Sequence, residues 1–246
     1  MSQSVQALLF DVFGTVVDWR EGVARDAAAF LQRHPGARQD AYAFADAWRG
    51  RYSPSMEVVR AGRRPFTRLD QLHRENLAAT LPAFGIDPAL VPEDQLQWLN
   101  RAWHRLDPWP DSVAGLTRLK ARCIVAALSN GNTSLLLNMA KYAGLPWDAI
   151  LGAEAAQAYK PMPQAYLRTA ELLDLPPERI CLVAAHNGDL ASARQCGLKT
   201  AFVPRPREFG PEQQTDLAAE QDWDWVANDL IQLAAGRGAG LGLGRQ

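Results

Sequence analysis

A chain of 246 residues can bury one large core or a core with a smaller inserted domain, so length leaves both open. With 26 basic against 27 acidic side chains and no Lys/Arg block, it lacks the charge field that would follow a nucleic-acid backbone or an acidic bilayer, so a small soluble substrate is the expected partner. No basic segment leads into a long apolar stretch and no apolar run approaches a membrane span, which predicts a cytoplasmic protein.

Short apolar runs at Ala7 to Phe10, Cys123 to Leu128, Ile180 to Ala184 and Thr200 to Val203 alternate with helix-like segments, the pattern of a Rossmann-like parallel α/β sheet. Between the first two runs, from about residue 20 to 106, no strand signal appears. Apolar residues there recur at helical spacing through "RDAAAFLQRH", "AYAFADAWRGRY", "QLHRENLAATL" and "DQLQWLNRAWHRL", which predicts a helical insert. "DPWPDS" (107–112) then marks the return, so the core is expected to be discontinuous, residues 1–19 and 107–246, around a domain of residues 20–106. "DWVANDLIQLAAG" reads as a final amphipathic helix, and the glycine-rich tail 236–246 as disordered. Cys123, Cys181 and Cys196 are odd in number and lack C-x-x-C spacing; they read as reduced packing residues, not redox or zinc ligands.

In open α/β sheets reactive groups collect at the carboxyl ends of strands. The first run ends on Asp11, with Gly14 and Thr15 behind it; the second on Ser129, Asn130 and Gly131; the run from Ile180 leads into "AAHNGD", with His186 and Asp189. "AYKPMPQAY" sets Lys160 before a proline, with Tyr166 about a helical turn or so later. Singly, Asp11, Ser129 and Asp189 could each cap a turn or helix and Lys160 could be a solvated charge. In this order they point to one site.

That order resembles the haloacid dehalogenase superfamily, whose members carry a helical cap inserted after the first strand. Most of them are magnesium-dependent phosphatases with a second Asp two residues after the nucleophile and an acid in the fourth motif. Here those positions hold Phe13 and Ala185, which removes much of the equipment for phosphoryl transfer. "FDVFGTVVDWR", "LSNGN", "YKPMPQAY" and "VAAHNGDLASAR" are instead similar to the type II 2-haloacid dehalogenase branch, which needs no metal and no cofactor.

The resemblance implies that Asp11 attacks C2 of a short 2-haloalkanoate, forming an aspartyl ester that water hydrolyses to a 2-hydroxy acid with inversion. Lys160 would keep Asp11 ionised and Asp189 would take a proton from the water; Thr15 would brace the turn. Ser129 and the backbone N–H groups of Val12 and Phe13 would hold the substrate carboxylate, with Tyr166 against it or Asp11, or else simply packing. Asn130 and the cap residue Arg49, with Arg51 as rival, would receive the halide. His186 stands where many type II enzymes carry asparagine, and reads as a hydrogen-bond donor near Asp11 or as structural. The family often dimerises, so a homodimer is admitted. A magnesium-dependent phosphatase of the same fold and a non-catalytic binding protein are the competing expectations.

Overall fold

The computed structural model describes residues 4–236; the tail expected to be disordered lies, except for Gly236, outside them. Six strands form one parallel sheet: β1 (Ala7–Phe10), β4 (Ile124–Ala127), β5 (Ala149–Ile150), β6 (Ile180–Ala184), β7 (Lys199–Phe202) and β8 (Trp225–Val226), in the order β5-β4-β1-β6-β7-β8. β2 (Val17–Asp18) and β3 (Asp107–Pro108) make a separate antiparallel pair. Helices α6 (Ser112–Lys120), α7 (Thr133–Ala143), α8 (Ala153–Ala156), α9 (Pro163–Leu172), α10 (Asn187–Gln195) and α11 (Leu230–Ala235) accompany the sheet.

β1 is central, and its ALLF sequence is buried on both faces, as a parallel strand covered by helices on each side must be. Leu8 and Phe10 join the core cluster on one face, and Ala7 and Leu9 the cluster containing Tyr166 and Leu190 on the other. The chain leaves β1 for β4 and β5 on one side and later fills β6, β7 and β8 on the other. Strand order therefore reverses at β1, and the loops after β1, β4 and β6 open onto one crevice.

Between β2 and β3 run α1 (Trp19–Leu31), α2 (Ala41–Gly50), α3 (Tyr52–Arg60), α4 (Leu69–Thr80) and α5 (Glu93–Asn100), the expected helical insertion. Val17 pairs with Pro108 and Asp18 with Asp107, so the two chain crossings are tied together at the base of the insertion. Asp18 also caps α1, its carboxylate accepting from Glu21 N at 3.0 Å. Buried Trp19, Phe44, Trp48 and Trp103 extend the core cluster from the sheet into these helices.

The reading of Asp224 to Gly236 as one helix is corrected. Trp225 and Val226 pair with Ala201 and Phe202 as an edge strand, drawn in by the Asp224 carboxylate, which accepts from Thr200 N and Oγ1 at 2.9 Å. The helix starts only at Leu230, capped by Asp229. Likewise the "AYAFADAWRGRY" helix is broken at Arg51 into α2 and α3. Cys123 and Cys181 are buried, as packing residues are, and burial pushes the Cys123 thiol up to about 12. Among the described residues no helix is long and apolar enough to cross a membrane.

Candidate active site

Asp11 N bonds to Val183 O at 3.1 Å, which carries the ladder one residue past β1 and fixes the side chain at the sheet edge. Its Oδ1 accepts from Lys160 Nζ at 2.9 Å; its Oδ2 accepts from Thr15 Oγ1 at 2.8 Å and lies 3.0 Å from His186 Nδ1. The Thr15 hydroxyl in turn accepts from Ala185 N at 2.9 Å, tying the β1 loop to the β6 loop. Burial alone would raise the Asp11 pKa, but the Lys160 ammonium and the His186 ring outweigh it and hold the carboxyl well below the usual range.

Lys160 reaches this point from an irregular segment before α9, its backbone N–H donating to Asn130 Oδ1 at 2.8 Å. Its Nζ also lies 2.5 Å from Asp189 Oδ2, so one ammonium bridges both carboxylates. Burial would lower the lysine pKa; Asp11 and Asp189 raise it above its ordinary value. Asp189, in the first turn of α10, accepts from Tyr166 OH at 2.6 Å. Burial and the Asp189 charge push that phenol well up, so Tyr166 stays a donor.

The insertion supplies the opposite wall. Arg49, near the end of α2, has its guanidinium 3.9 Å from the Tyr52 ring centroid, 5.1 Å from Trp19, 5.9 Å from Phe13 and 6.0 Å from Trp103. Its buried Nη1 has no hydrogen-bond partner, and neither do Trp103 Nε1 or either ring nitrogen of His73. His73 stacks on Trp103 at 4.3 Å, and burial pushes its pKa down to about 3, so it is neutral. Arg51 is exposed.

A cavity of about 330 Å³ joins the two walls, lined from the core by Asp11, Phe13, Asn130, Lys160, His186 and Asp189 and from the insertion by Arg49 and Tyr52. Thr15 and Tyr166 stand behind the carboxylates. Ser129 is buried with its hydroxyl accepting from Gly131 N at 3.3 Å, and Val12 is buried with its carbonyl accepting from Val16 N and Val17 N; neither lines this cavity. A larger hollow of about 640 Å³ between Asp18, Arg20, Tyr42 and Arg207 contains none of the strand-end residues, so volume does not mark the site here.

Sequence reasoning missed Glu208. It is 1% exposed, accepts from Trp19 Nε1 at 3.0 Å, and lies 2.8 Å from His186 Nε2 through its other oxygen. Gly14 admits it: a Cβ there would come within 2.0 Å of the Glu208 carboxylate, and Gly14 has φ +84°. No motif in "PRPREFG" signals this. The aromatic wall around Arg49 was missed as well, since Tyr52, His73 and Trp103 read as ordinary apolar positions of insert helices.

The residues do not suit the magnesium of the superfamily's phosphatases: apolar Phe13 and Ala185 replace two acids, and the two remaining carboxylates share an ammonium. Among the described residues no group of three or more His, Cys, Asp or Glu side chains converges as a metal site.

Comparison with known proteins places this geometry. The model for haloacid dehalogenase-like hydrolases matches residues 5–197. An (S)-2-haloacid dehalogenase of Xanthobacter autotrophicus is 30% identical over 213 residues, 82% of this chain and 76% of the relative. The crystal structure of a defluorinating L-2-haloacid dehalogenase superposes with a TM-score of 0.92 at 56% identity, covering 94% of each chain. That of the Xanthobacter autotrophicus L-2-haloacid dehalogenase with chloropropionic acid covalently bound superposes at 0.76 with 26% identity, covering 94% of this chain and 97% of the other. The strand-end carboxylates, the insertion after the first strand and these matches agree: the chain belongs to the haloacid dehalogenase-like hydrolases, in their L-2-haloacid dehalogenase branch.

Proposed function

We propose that the protein hydrolyses short 2-haloalkanoic acids, haloacetates and L-2-haloacids, to 2-hydroxy acids without a metal. The observation that carries this reading is the pairing, across one cavity of about 330 Å³, of an anionic carboxylate with an aromatic-walled guanidinium whose buried Nη1 has no partner. Displacing a halide from carbon needs an anionic nucleophile and a place for the departing anion, and no proton for the leaving group. Phe13, where a phosphatase keeps its general acid, is in keeping with that.

In the reading, an oxygen of Asp11 attacks C2 from the face opposite the halide, forming the C–O bond as the carbon–halogen pair leaves with the halide. Arg49 and Asn130 receive the halide. Lys160 keeps Asp11 ionised in the first step and orients water in the second; Asp189, hydrogen-bonded by Lys160 and Tyr166, takes a proton from that water. The Phe13 N–H holds the substrate carboxylate, while Ser129 and Val12, which do not line the cavity, lose the role the sequence suggested for them. Residues 20–106 act as the cap, and 1–19 with 107–246 as the core. The covalently bound Xanthobacter relative supports the ester route.

A halide-release panel over fluoro-, chloro- and bromoacetate and both 2-chloropropionate enantiomers tests the reading, with excess EDTA in parallel. Fluoroacetate belongs there because the 56% identical relative is named as defluorinating. Release from chloroacetate and L-2-chloropropionate that persists in EDTA is expected. Loss of activity that magnesium restores, with phosphate released from a generic ester, would overturn it in favour of a phosphatase. A single turnover in ¹⁸O-water with enzyme in excess should label Asp11 and leave the product hydroxyl unlabelled.

A further inference from the structure

Resting on the ester route above, we propose that Glu208 is a positioning residue that holds His186 as an imidazolium against Oδ2 of Asp11. His186 and Thr15 then receive the negative charge that forms on that oxygen when water attacks the ester.

The two oxygens of Asp11 are unequally occupied. Oδ1 has one neighbour of this kind, Lys160 Nζ, whereas Oδ2 has two, the Thr15 hydroxyl donating at 2.8 Å and His186 Nδ1 at 3.0 Å. Oδ1 therefore keeps lone-pair density for attack at C2, and Oδ2 becomes the carbonyl oxygen of the ester. When water adds to Cγ, its proton passes to Asp189 and the C=O pair moves onto Oδ2, where the Thr15 hydroxyl already donates and His186 Nδ1 stands 3.0 Å away. The pair then returns, the Cγ–Oδ1 bond breaks, and the product leaves with Oδ1 as its hydroxyl oxygen, taking the proton from Asp189. The second water proton leaves Asp11 for solvent. Donors fixed before the charge appears need no reorganisation, which is why such cradles accelerate acyl transfer.

His186 is suited to that task only while its other nitrogen is held. Its Nε2 lies 2.8 Å from Glu208 Oε2, and Glu208 is anchored by Trp19 Nε1 on its other oxygen. The carboxylate is deeply buried and sits in the space that Gly14 leaves free. The groups facing the ring are few: Asp11 from the β1 loop and Glu208 from the loop after β7 touch it. Lys160 stands on the far oxygen of Asp11, Asp189 lies on α10 with His186 as its N-cap, and Asp18 adds acidity near Glu208. Arg205, three residues before Glu208, is committed to Asp111 and the Thr15 carbonyl. Burial alone would lower the histidine pKa; Glu208 and then Asp11 raise it well above its ordinary value.

Alkylation changes this balance. Once Asp11 is an ester its charge is gone, and of the two carboxylates that touch the ring only Glu208 remains to keep it protonated. The effect of Glu208 therefore falls on ester hydrolysis and only weakly on ester formation.

The test follows the whole protein with L-2-chloropropionate from pH 6 to 9.5, measuring the halide burst, kcat, and the ester as added mass on intact protein after rapid quenching. Glu208→Gln should leave the burst rate within about 3-fold of wild type, because Lys160 still ionises Asp11. Its kcat should approach wild type at pH 6 and fall about 10-fold or more by pH 9 with ester accumulating, as His186 returns towards its ordinary pKa of about 6.5 and a charged oxyanion donor is lost. His186→Asn, a neutral donor, should hydrolyse ester slowly at a rate independent of pH, and it carries the test if Glu208→Gln does not fold. A Glu208→Gln profile that matches wild type, or a loss equal at every pH without ester, overturns the proposal, as does ester hydrolysis at the wild-type rate in His186→Asn. Failure of the underlying reading looks different: wild-type protein would release no halide, or no variant would ever carry the ester mass.

Discussion

The two walls of the cavity are built on opposite terms. On the core side Asp11, Lys160, Asp189 and His186 all have a partner of opposite charge within about 3.0 Å. On the cap side Arg49 Nη1, Trp103 Nε1 and the His73 nitrogens are buried and unpartnered, among Phe13, Trp19 and Tyr52. The difference teaches where charge is already matched and where it is not. The core side holds an ion-pair network already complete; on the reading proposed above, the cap side awaits the halide at Arg49, the one of these unpartnered groups that lines the cavity.

Removing the cation of the complete wall should have the largest effect. Lys160→Met leaves Asp11 and Asp189 buried without the ammonium between them, and breaking such a pair costs about 3–5 kcal/mol. The sign with pH follows from the two shifts. Asp11 is depressed from 3.8, so its contribution is present above that value and lost as pH falls through the folded pKa. Lys160 is raised from 10.5, so its contribution is present below that value and lost as pH rises through the folded pKa. Wild-type stability from this pair should be flat between those limits in denaturant titrations. In Lys160→Met only His186 is left to oppose the burial of Asp11, whose pKa rises from its wild-type position, so halide release should fall by about 10³-fold near neutrality and recover partly as pH rises. A variant as stable as wild type and pH-independent would mean the wall does not depend on its cation.

The awaiting wall is tested by Arg49→Lys, which keeps the charge and loses the planar fork set against Tyr52. Turnover should drop by about 10²-fold, the scale of one lost charge-stabilising donor, with thermal unfolding near wild type. A wild-type rate would show that the halide leaves by another route and that the unpartnered nitrogens serve something else.

Much of the core wall was legible in the sequence because it rests on strand ends. Apolar runs announce where β1, β4 and β6 stop, and Asp11, Asn130 and His186 follow directly; Lys160 stands out by its proline. Two-residue strands such as β5 and β8 were not legible, because two residues carry no periodicity and their pairing is decided by neighbours such as Asp224 and Thr200. The cap wall was nearly silent for a related reason. Tyr52, His73 and Trp103 come from three separate segments and fit the apolar stripe of any packed helix, so only the fold shows Tyr52 and Trp103 beside one guanidinium with His73 stacked on Trp103. Glu208 was illegible because nothing in its own loop selects it; Gly14, nearly two hundred residues earlier, makes its room.

The smallest expected effect concerns the arginine that sequence alone left as rival. Arg49 and Arg51 are two positions apart at the end of α2, where a helical rotation of about 100° per residue turns i and i+2 to opposite sides. Arg49 faces the aromatic wall, and Arg51 closes the helix and is exposed, its backbone carbonyl accepting from Asn76 Nδ2 at 3.3 Å. Its side chain is dispensable for that bond, so Arg51→Ala should change halide turnover by less than about 2-fold and stability by no more than about 0.5 kcal/mol. If Arg51→Ala instead lowers turnover as far as Arg49→Lys does, the guanidinium that meets the halide is not the one held among the rings. The contrast between a complete wall and an awaiting one would then have to be drawn around a different side chain.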